Sequence, residues 1–216
     1  MFSEKDIYVY IFSWKKVTVN AMNLYKALRK EFTNTIFINC DENYVIPVDV
    51  SGIQLDDSYY YGGQFETAIT NIPSNKILGV FTGDVNPDAD WSKMAENCIA
   101  AFNTEKIGVY APDVYPTFHK SRNEFLWGSL YSVPNTDCTG WFIHHEIVAP
   151  LKDIPYFKIS NYGWGIDNIF MKETRKKGKL VARDYGFKIT QPVGTAYNQR
   201  EAHKMMDALH IFYDNM

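Results

Sequence analysis

A chain of 216 residues with 46% hydrophobic and 22% charged residues has the composition of a soluble globular protein, with material for a substantial core. Its formal net charge of −3 argues against a nucleic-acid partner, which would call for a basic stripe. The nearest basic cluster, Lys172 to Lys179, falls at a predicted helix end, where cations suit the dipole. Cys40, Cys98 and Cys138 are odd in number and far apart, so they match neither a disulfide framework nor a zinc spacing, and a reducing, cytoplasmic compartment is expected.

The first apolar run, Ile7–Phe12, has the length of a buried strand and is too short for a signal or membrane-spanning helix. A helix is expected over Thr18–Phe32, with Ala21, Leu24, Tyr25, Leu28 and Phe32 on one face, and a second strand over Asn34–Asn39. A β-α-β opening of this kind favours parallel strands joined by a right-handed crossover. The polar groups at the strand ends, Ser13 after Phe12 and Asp41, then lie side by side, as a nucleotide base and ribose pocket requires; polar residues also end most strands without any ligand. Val45–Tyr61 reads as irregular with short extended pieces, and Gly62-Gly63 leads into a helix over Gln64–Thr70.

The segment Lys76–Trp91 (KILGVFTGDVNPDADW) organises the rest. Lys76–Phe81 is a continuous apolar run, the pattern of a strand buried on both faces, and open α/β sheets bind ligands beyond the carboxyl ends of such strands. Asp84, Asp88 and Asp90 follow directly. One reading makes them a solvated turn cornered by Asn86-Pro87, with Asp90 capping the next helix. The other makes them a divalent-cation site, since Mg²⁺ or Mn²⁺ needs only one or two carboxylates when substrate phosphates supply the other oxygens.

A helix is expected over Ser92–Asn103 and a strand over Lys106–Tyr110, followed by a loop containing Pro112, Tyr115 and Pro116. Leu130–Val133 reads as a strand and Asp137–Phe142 as an edge-like piece. His144-His145-Glu146 begins a short helix without a zincin spacing, because adjacent histidines point apart on a helix. Asn161–Asn168 is a glycine-flanked aromatic loop opening a helix to Lys177, with Gly178 as its C-cap. Leu180–Arg183 and Phe187–Thr190 read as extended, and the last helix starts at Asn198 with Glu201 placed for a capping box.

In this order the segments resemble the nucleotide-sugar glycosyltransferases of the GT-A fold. Thr82-Gly83-Asp84 is similar to the D-x-D loop, with Asp84 at the metal-binding position. Cys138-Thr139-Gly140-Trp141-Phe142 looks like the segment lining the donor-sugar and acceptor cleft. Gly163-Trp164-Gly165-Ile166-Asp167 is similar to the G-W-G-x-D loop, whose acid serves as base in inverting members. Gln191–Tyr197 looks like the C-terminal loop in which many members carry a metal-binding histidine.

The resemblance implies an α/β domain over residues 1–216, with a Rossmann-like, mostly parallel sheet flanked by helices. Residues 1–111 would form the nucleotide-sugar half and 112–216 the acceptor half. It implies donor contacts from Phe12, Ser13, Asp41, Gln64, Thr82, Gly83 and Asp84 in the first half, and from Thr139, Gly140, Trp141, Trp164 and Gly165 in the second. Asp84 and Gln191 would hold Mn²⁺ or Mg²⁺, and Asp167 would be the catalytic base. The donor is expected to be a UDP-sugar and the acceptor a carbohydrate or glycoprotein hydroxyl. The pattern departs from the family at Thr82, where the first Asp of D-x-D is missing, and at Gln191, which stands where a histidine is usual. The literal Asp88-Ala89-Asp90 lies past a proline, so Asp84 is preferred. The chain is short for the family, as in single modules of larger polypeptides that some bacteria and large viruses encode, the latter acting in the host cytoplasm.

Two alternatives stay open. A nucleotidyltransferase would show a glycine-rich loop after the first strand, where this chain has Ser13-Trp14-Lys15-Lys16. A non-catalytic nucleotide- or sugar-binding module of the same fold is the reading that Thr82 and Gln191 would support.

Overall fold

A computed structural model describes residues 1–117, 119–192 and 197–216. Among these, nine strands form one sheet: β1 (Ile7–Ser13), β2 (Asn34–Asn39), β3 (Gly52–Gln54), β4 (Ile77–Thr82), β5 (Ile107–Tyr115), β6 (Phe125–Trp127), β7 (Leu130–Ser132), β8 (Gly140–Ile143) and β9 (Leu180–Thr190). Their spatial order is β3-β2-β1-β4-β8-β5-β9-β7-β6. β1 to β4 are mutually parallel, as are β5 and β9, and only β7 and β8 run against the rest. The fold is therefore α/β, but its sheet is mixed and not mostly parallel by pairing: four of the eight strand pairings are antiparallel, because β7 and β8 are reversed within it.

The central strand, β8, corrects an expectation. Residues 137–142 read as an edge piece, yet β8 pairs with β4 on one side and β5 on the other, and all of Gly140–Ile143 is buried. An apolar run buried on both faces has no preferred direction in its sequence, so neither its position nor its reversal is readable locally. The two extended pieces near the C-terminus are one strand, β9, whose register against β5 shifts between Ile107 and Val109 and again between Pro112 and Asp113.

Helices α1 (Thr18–Glu31) and α3 (Trp91–Phe102) cover one face of the sheet, while α2 (Tyr61–Asn71), α4 (His145–Val148), α5 (Tyr156–Ile159), α6 (Ile166–Lys176) and α7 (Gln199–Asp214) belong to the other. Side chains alternate across each strand, so Ile7, Val9 and Ile11 pack under α1 and α3 while Tyr10 and Phe12 pack under α2 and α6. Asn198 caps α7 by accepting the Arg200 and Glu201 amides; the Glu201 carboxylate takes the Tyr162 hydroxyl at 3.3 Å and does not complete a capping box. Among the described residues no helix is long and apolar enough to cross a membrane.

Candidate functional site

The register aligns the carboxyl ends of β1, β2 and β4, placing Ser13 beside Asn39 and Phe12 beside Thr82. Ser13 is fully buried; its amide donates to Gln64 Oε1 at 3.1 Å, and its hydroxyl has no partner. Asp41 accepts the Thr18 hydroxyl at 2.9 Å and the Asn43 amide at 3.0 Å. A cavity of about 430 Å³ lined by Lys15, Lys16, Thr18, Asn20, Asp41 and Tyr44 opens beside it.

Beyond β4 the chain makes a tight turn. Asn20 holds it by donating to the Gly83 carbonyl at 2.6 Å and the Val85 carbonyl at 2.8 Å. Gly83 is needed for close approach, because a Cβ there would lie 2.6 Å from both the Phe12 carbonyl oxygen and the Ala21 Cβ. Asp84 is thereby set between two anchored residues, with Oδ1 buried and unpartnered. Burial pushes its carboxyl upward, against a smaller opposing effect of the Thr82 hydroxyl. The later acids behave differently: Asp90 caps α3 by accepting the Lys93 amide at 3.1 Å, and Asp88 is exposed. The solvated-turn description fits those two residues.

Residues 137–139, just before β8, bond to residues of β4 and to Gln191 beyond β9. The Thr139 carbonyl accepts the Thr82 amide at 2.8 Å, and the Thr139 hydroxyl donates to Gln191 Oε1 at 2.8 Å. Thr82, Thr139 and Gln191 thus form one connected group near Asp84; the 193–196 part of the expected C-terminal loop lies outside the described residues. The Cys138 carbonyl accepts the Tyr61 hydroxyl at 2.7 Å. Asp137 accepts the Thr117 hydroxyl and stands 3.8 Å from Arg183 Nη2, while burial pushes its carboxyl upward.

On the far side of this run, Gly165 is the N-cap of α6 with φ 87°, a left-handed conformation that favours glycine. Asp167 lies in the first turn, accepts the Asn168 amide at 2.9 Å through Oδ1, and points Oδ2 at His119 Nε2, 3.8 Å away. Asp167 is the chief cause of a raised His119 pKa, which burial opposes and Asp137 reinforces. Tyr197 stacks on Tyr162 with centroids 4.6 Å apart, and Tyr60 edges onto both; Trp164 meets His203 at 5.2 Å. Burial, with Tyr60 and Asp84 adding, pushes the Tyr197 phenol up to about 12.

No protein-family model matches the sequence, and no curated protein matches it. Among solved structures, it is similar to GalNAc-T7 with UDP, GalNAc and Mn²⁺ (TM-score 0.58, 6% identity, 88% of this chain and 44% of that one). It is also similar to A197 from STIV (0.48, 16%, 87% and 86%) and to the inositol-1-phosphate CTP transferase from T. maritima (0.49, 10%, 95% and 97%). The chain has the GT-A fold. It spans 44% of the GalNAc-T7 chain, so the GT-A fold is what the two share, and the activity is a separate question.

Within the GT-A fold, several of the expected donor residues are buried, Ser13, Gln64 and Asp41 as polar groups and Phe12 and Trp141 as aromatic rings. Phe12 is fully buried against Tyr61, and Trp141 is fully buried between Phe65 and Phe170, so their rings are packed in the core. His119, Asp137 and Arg183 were not apparent in the sequence. His119 comes from an irregular loop without periodicity, and Arg183 sits in a strand whose face only the register defines. Asp137, adjacent to the Cys138–Phe142 segment, was the one with a local signal.

His144, His145 and Glu146 require a correction. His144 precedes α4 as its N-cap, so the two imidazoles do not point apart; their rings lie 4.3 Å apart, and one donor atom from each of the three residues falls within 4.8 Å of the others. This group can hold a metal ion, although Lys179 already pairs with Glu146 at 3.2 Å. Burial pushes His144 down to about 4. Because β8 runs backwards, the group lies at the amino end of β4, away from Asp84.

Proposed function

We propose that this chain transfers a sugar, with inversion, from a nucleotide-diphosphate sugar, a UDP-sugar, to a carbohydrate or glycoprotein hydroxyl. The observation that carries this is the buried, unpartnered Asp84 Oδ1 at the carboxyl end of β4, beside the unpartnered Ser13 hydroxyl at the end of β1. Buried polar atoms without partners are uncommon, and two at adjoining strand ends support a ligand there. That GalNAc-T7 holds UDP and Mn²⁺ on the same fold supports the ligand class.

Ser13, Gln64 and Asp41 would bind the base and ribose. Asp84 fits a divalent cation, with Gln191 Oε1 offering its second lone pair beside the bond from Thr139. Bound there, Mn²⁺ or Mg²⁺ would supply charge neutralisation to the diphosphate. Thr139 and the Gly165 turn would shape the sugar site, and Trp164 its wall. Asp167 would provide the carboxylate of the base, taking the acceptor proton while the bond from the sugar to the diphosphate breaks and the electron pair leaves with the phosphate oxygen.

Hydrolysis of a panel of nucleotide sugars, with and without Mn²⁺, tests the proposal. Turnover that Asp84→Ala abolishes supports it; nucleotide binding without turnover supports a non-catalytic module, and absence of both refutes the reading.

A further inference from the structure

Outside the donor site, one sheet face carries cations stacked on aromatic rings. The Arg122 guanidinium carbon lies 3.6 Å from the centre of the Tyr185 ring and 5.3 Å from that of Tyr131. Tyr131 packs edgewise on Tyr185 and on Phe125 of the outermost strand β6. Lys188 Nζ lies 4.1 Å over the Tyr115 ring.

Strand register puts these groups on a single face. Tyr131 is opposite Arg183, Arg183 is opposite Ala111, and Lys188 is opposite Asp113, so alternation turns Asp113, Tyr115, Tyr131, Tyr185 and Lys188 the same way. Asp184 goes to the other face, where Tyr110 and Asn97 donate to it. Phe125 and Tyr115 remain 55% and 59% exposed.

Among the described residues, the side chains of Arg122 and Lys188 make no hydrogen bond and no ion pair at contact distance. Half-buried Asp113 lies in the field of both and of Arg183, while burial pushes its carboxyl upward. An arginine stacked on a ring keeps its in-plane N–H groups free and aimed, which suits a planar carboxylate. The face is linked to the candidate base through His119, whose carbonyl accepts from Arg183 and whose ring stands 3.8 Å from Asp167, and Arg122 follows in the same loop.

We propose that this face seats the acceptor, and that the acceptor is an oligosaccharide bearing carboxylate groups. Sugar rings lie against Phe125 and Tyr115, and their carboxylates meet Arg122 and Lys188. A long polyanion such as a nucleic acid is disfavoured by the net charge of −3 and by the interleaved rings. The inference rests on the glycosyltransferase reading, which it deepens by naming the acceptor class.

Calorimetric or NMR titration with a uronic-acid hexasaccharide, a neutral glucose hexasaccharide and a short single-stranded oligonucleotide tests it. The uronate should bind at least about tenfold more tightly than the neutral sugar, and Arg122→Gln and Lys188→Gln should each lose about tenfold, the scale of one charge-assisted hydrogen bond. Both variants should keep any thermal shift produced by a nucleoside diphosphate. Equal affinity for the two sugars, binding to neither, or tighter binding of the oligonucleotide overturns the proposal. Loss of the nucleotide shift in the unaltered protein is a separate result and counts against the donor site alone.

Discussion

His119 Nε2 lies 3.8 Å from Asp167 Oδ2, joining a histidine from an irregular loop to a carboxylate on the first turn of α6. The Asp167 carboxylate is the largest cause of the raised pKa of the imidazole. When His119 is protonated it engages Asp167 as an ion pair; when neutral it would leave the carboxylate free to take the acceptor proton in the proposed transfer.

The rate should therefore rise with pH as His119 loses its proton, above the ordinary histidine value of 6.5 because the folded pKa is raised. The same pair contributes stability that is present below 6.5 and lost as pH rises through the folded value. His119→Gln should remove this rising limb from a pH profile of kcat/KM. A limb unchanged in the variant assigns the titration to another group.

A nucleoside diphosphate should stabilise the protein, and more so with Mn²⁺ or Mg²⁺. At about 100 times Kd the linkage contributes roughly 2.7 kcal/mol, or about 5–10 °C in Tm for a chain of this size. Differential scanning fluorimetry measures it directly, and a flat response to all nucleotides speaks against the donor site.

Asp84→Ala and Asp90→Ala should separate cation binding from capping. The Asp84 variant should lose the cation-dependent part of the nucleotide shift, since no other carboxylate in the turn is held by buried anchors. The Asp90 variant should keep that part and lose about 1 kcal/mol of stability, the usual worth of an N-cap. Urea denaturation with and without Mn²⁺ distinguishes them, and a dominant Asp90 reverses the assignment.

Asp167→Asn should lower kcat by about 10²- to 10⁴-fold with donor binding little changed. Above the His119 titration stability should be nearly preserved, because Gly165 occupies the N-cap and the Asn168 amide that Asp167 accepts is also accepted by an asparagine oxygen; below it the contribution of the His119 pair is lost. The product should show inverted anomeric configuration by NMR. Near-normal turnover in the variant removes Asp167 from the chemistry.

Thr139→Val keeps the carbonyl that accepts the Thr82 amide and deletes the hydroxyl bonded to Gln191. Cation affinity should fall severalfold while the fold persists, as calorimetric Mn²⁺ titration in the presence of nucleoside diphosphate would show. An unchanged affinity separates Gln191 from the cation.

Local pattern by itself determined much of this molecule. Unbroken apolar runs made β1 and β4 strands buried on both faces, and helical spacing defined α1, α3 and α7. The order of the Thr82–Asp84, Cys138–Phe142 and Gly163–Asp167 segments pointed to the GT-A fold. Tertiary structure decided the rest, because strand partners are chosen by global burial and not by neighbouring residues. The reversal of β8 placed residues 137–139 at the carboxyl end of β4, brought Thr139 to Gln191 and carried His144 to the opposite end of the sheet. The same packing put the rings of Phe12 and Trp141 into the core. His119 reached Asp167, and Arg122 reached Tyr185, only through loops that have no periodicity to read. Their positions follow from what the folded sheet leaves exposed, a property that no stretch of sequence holds alone.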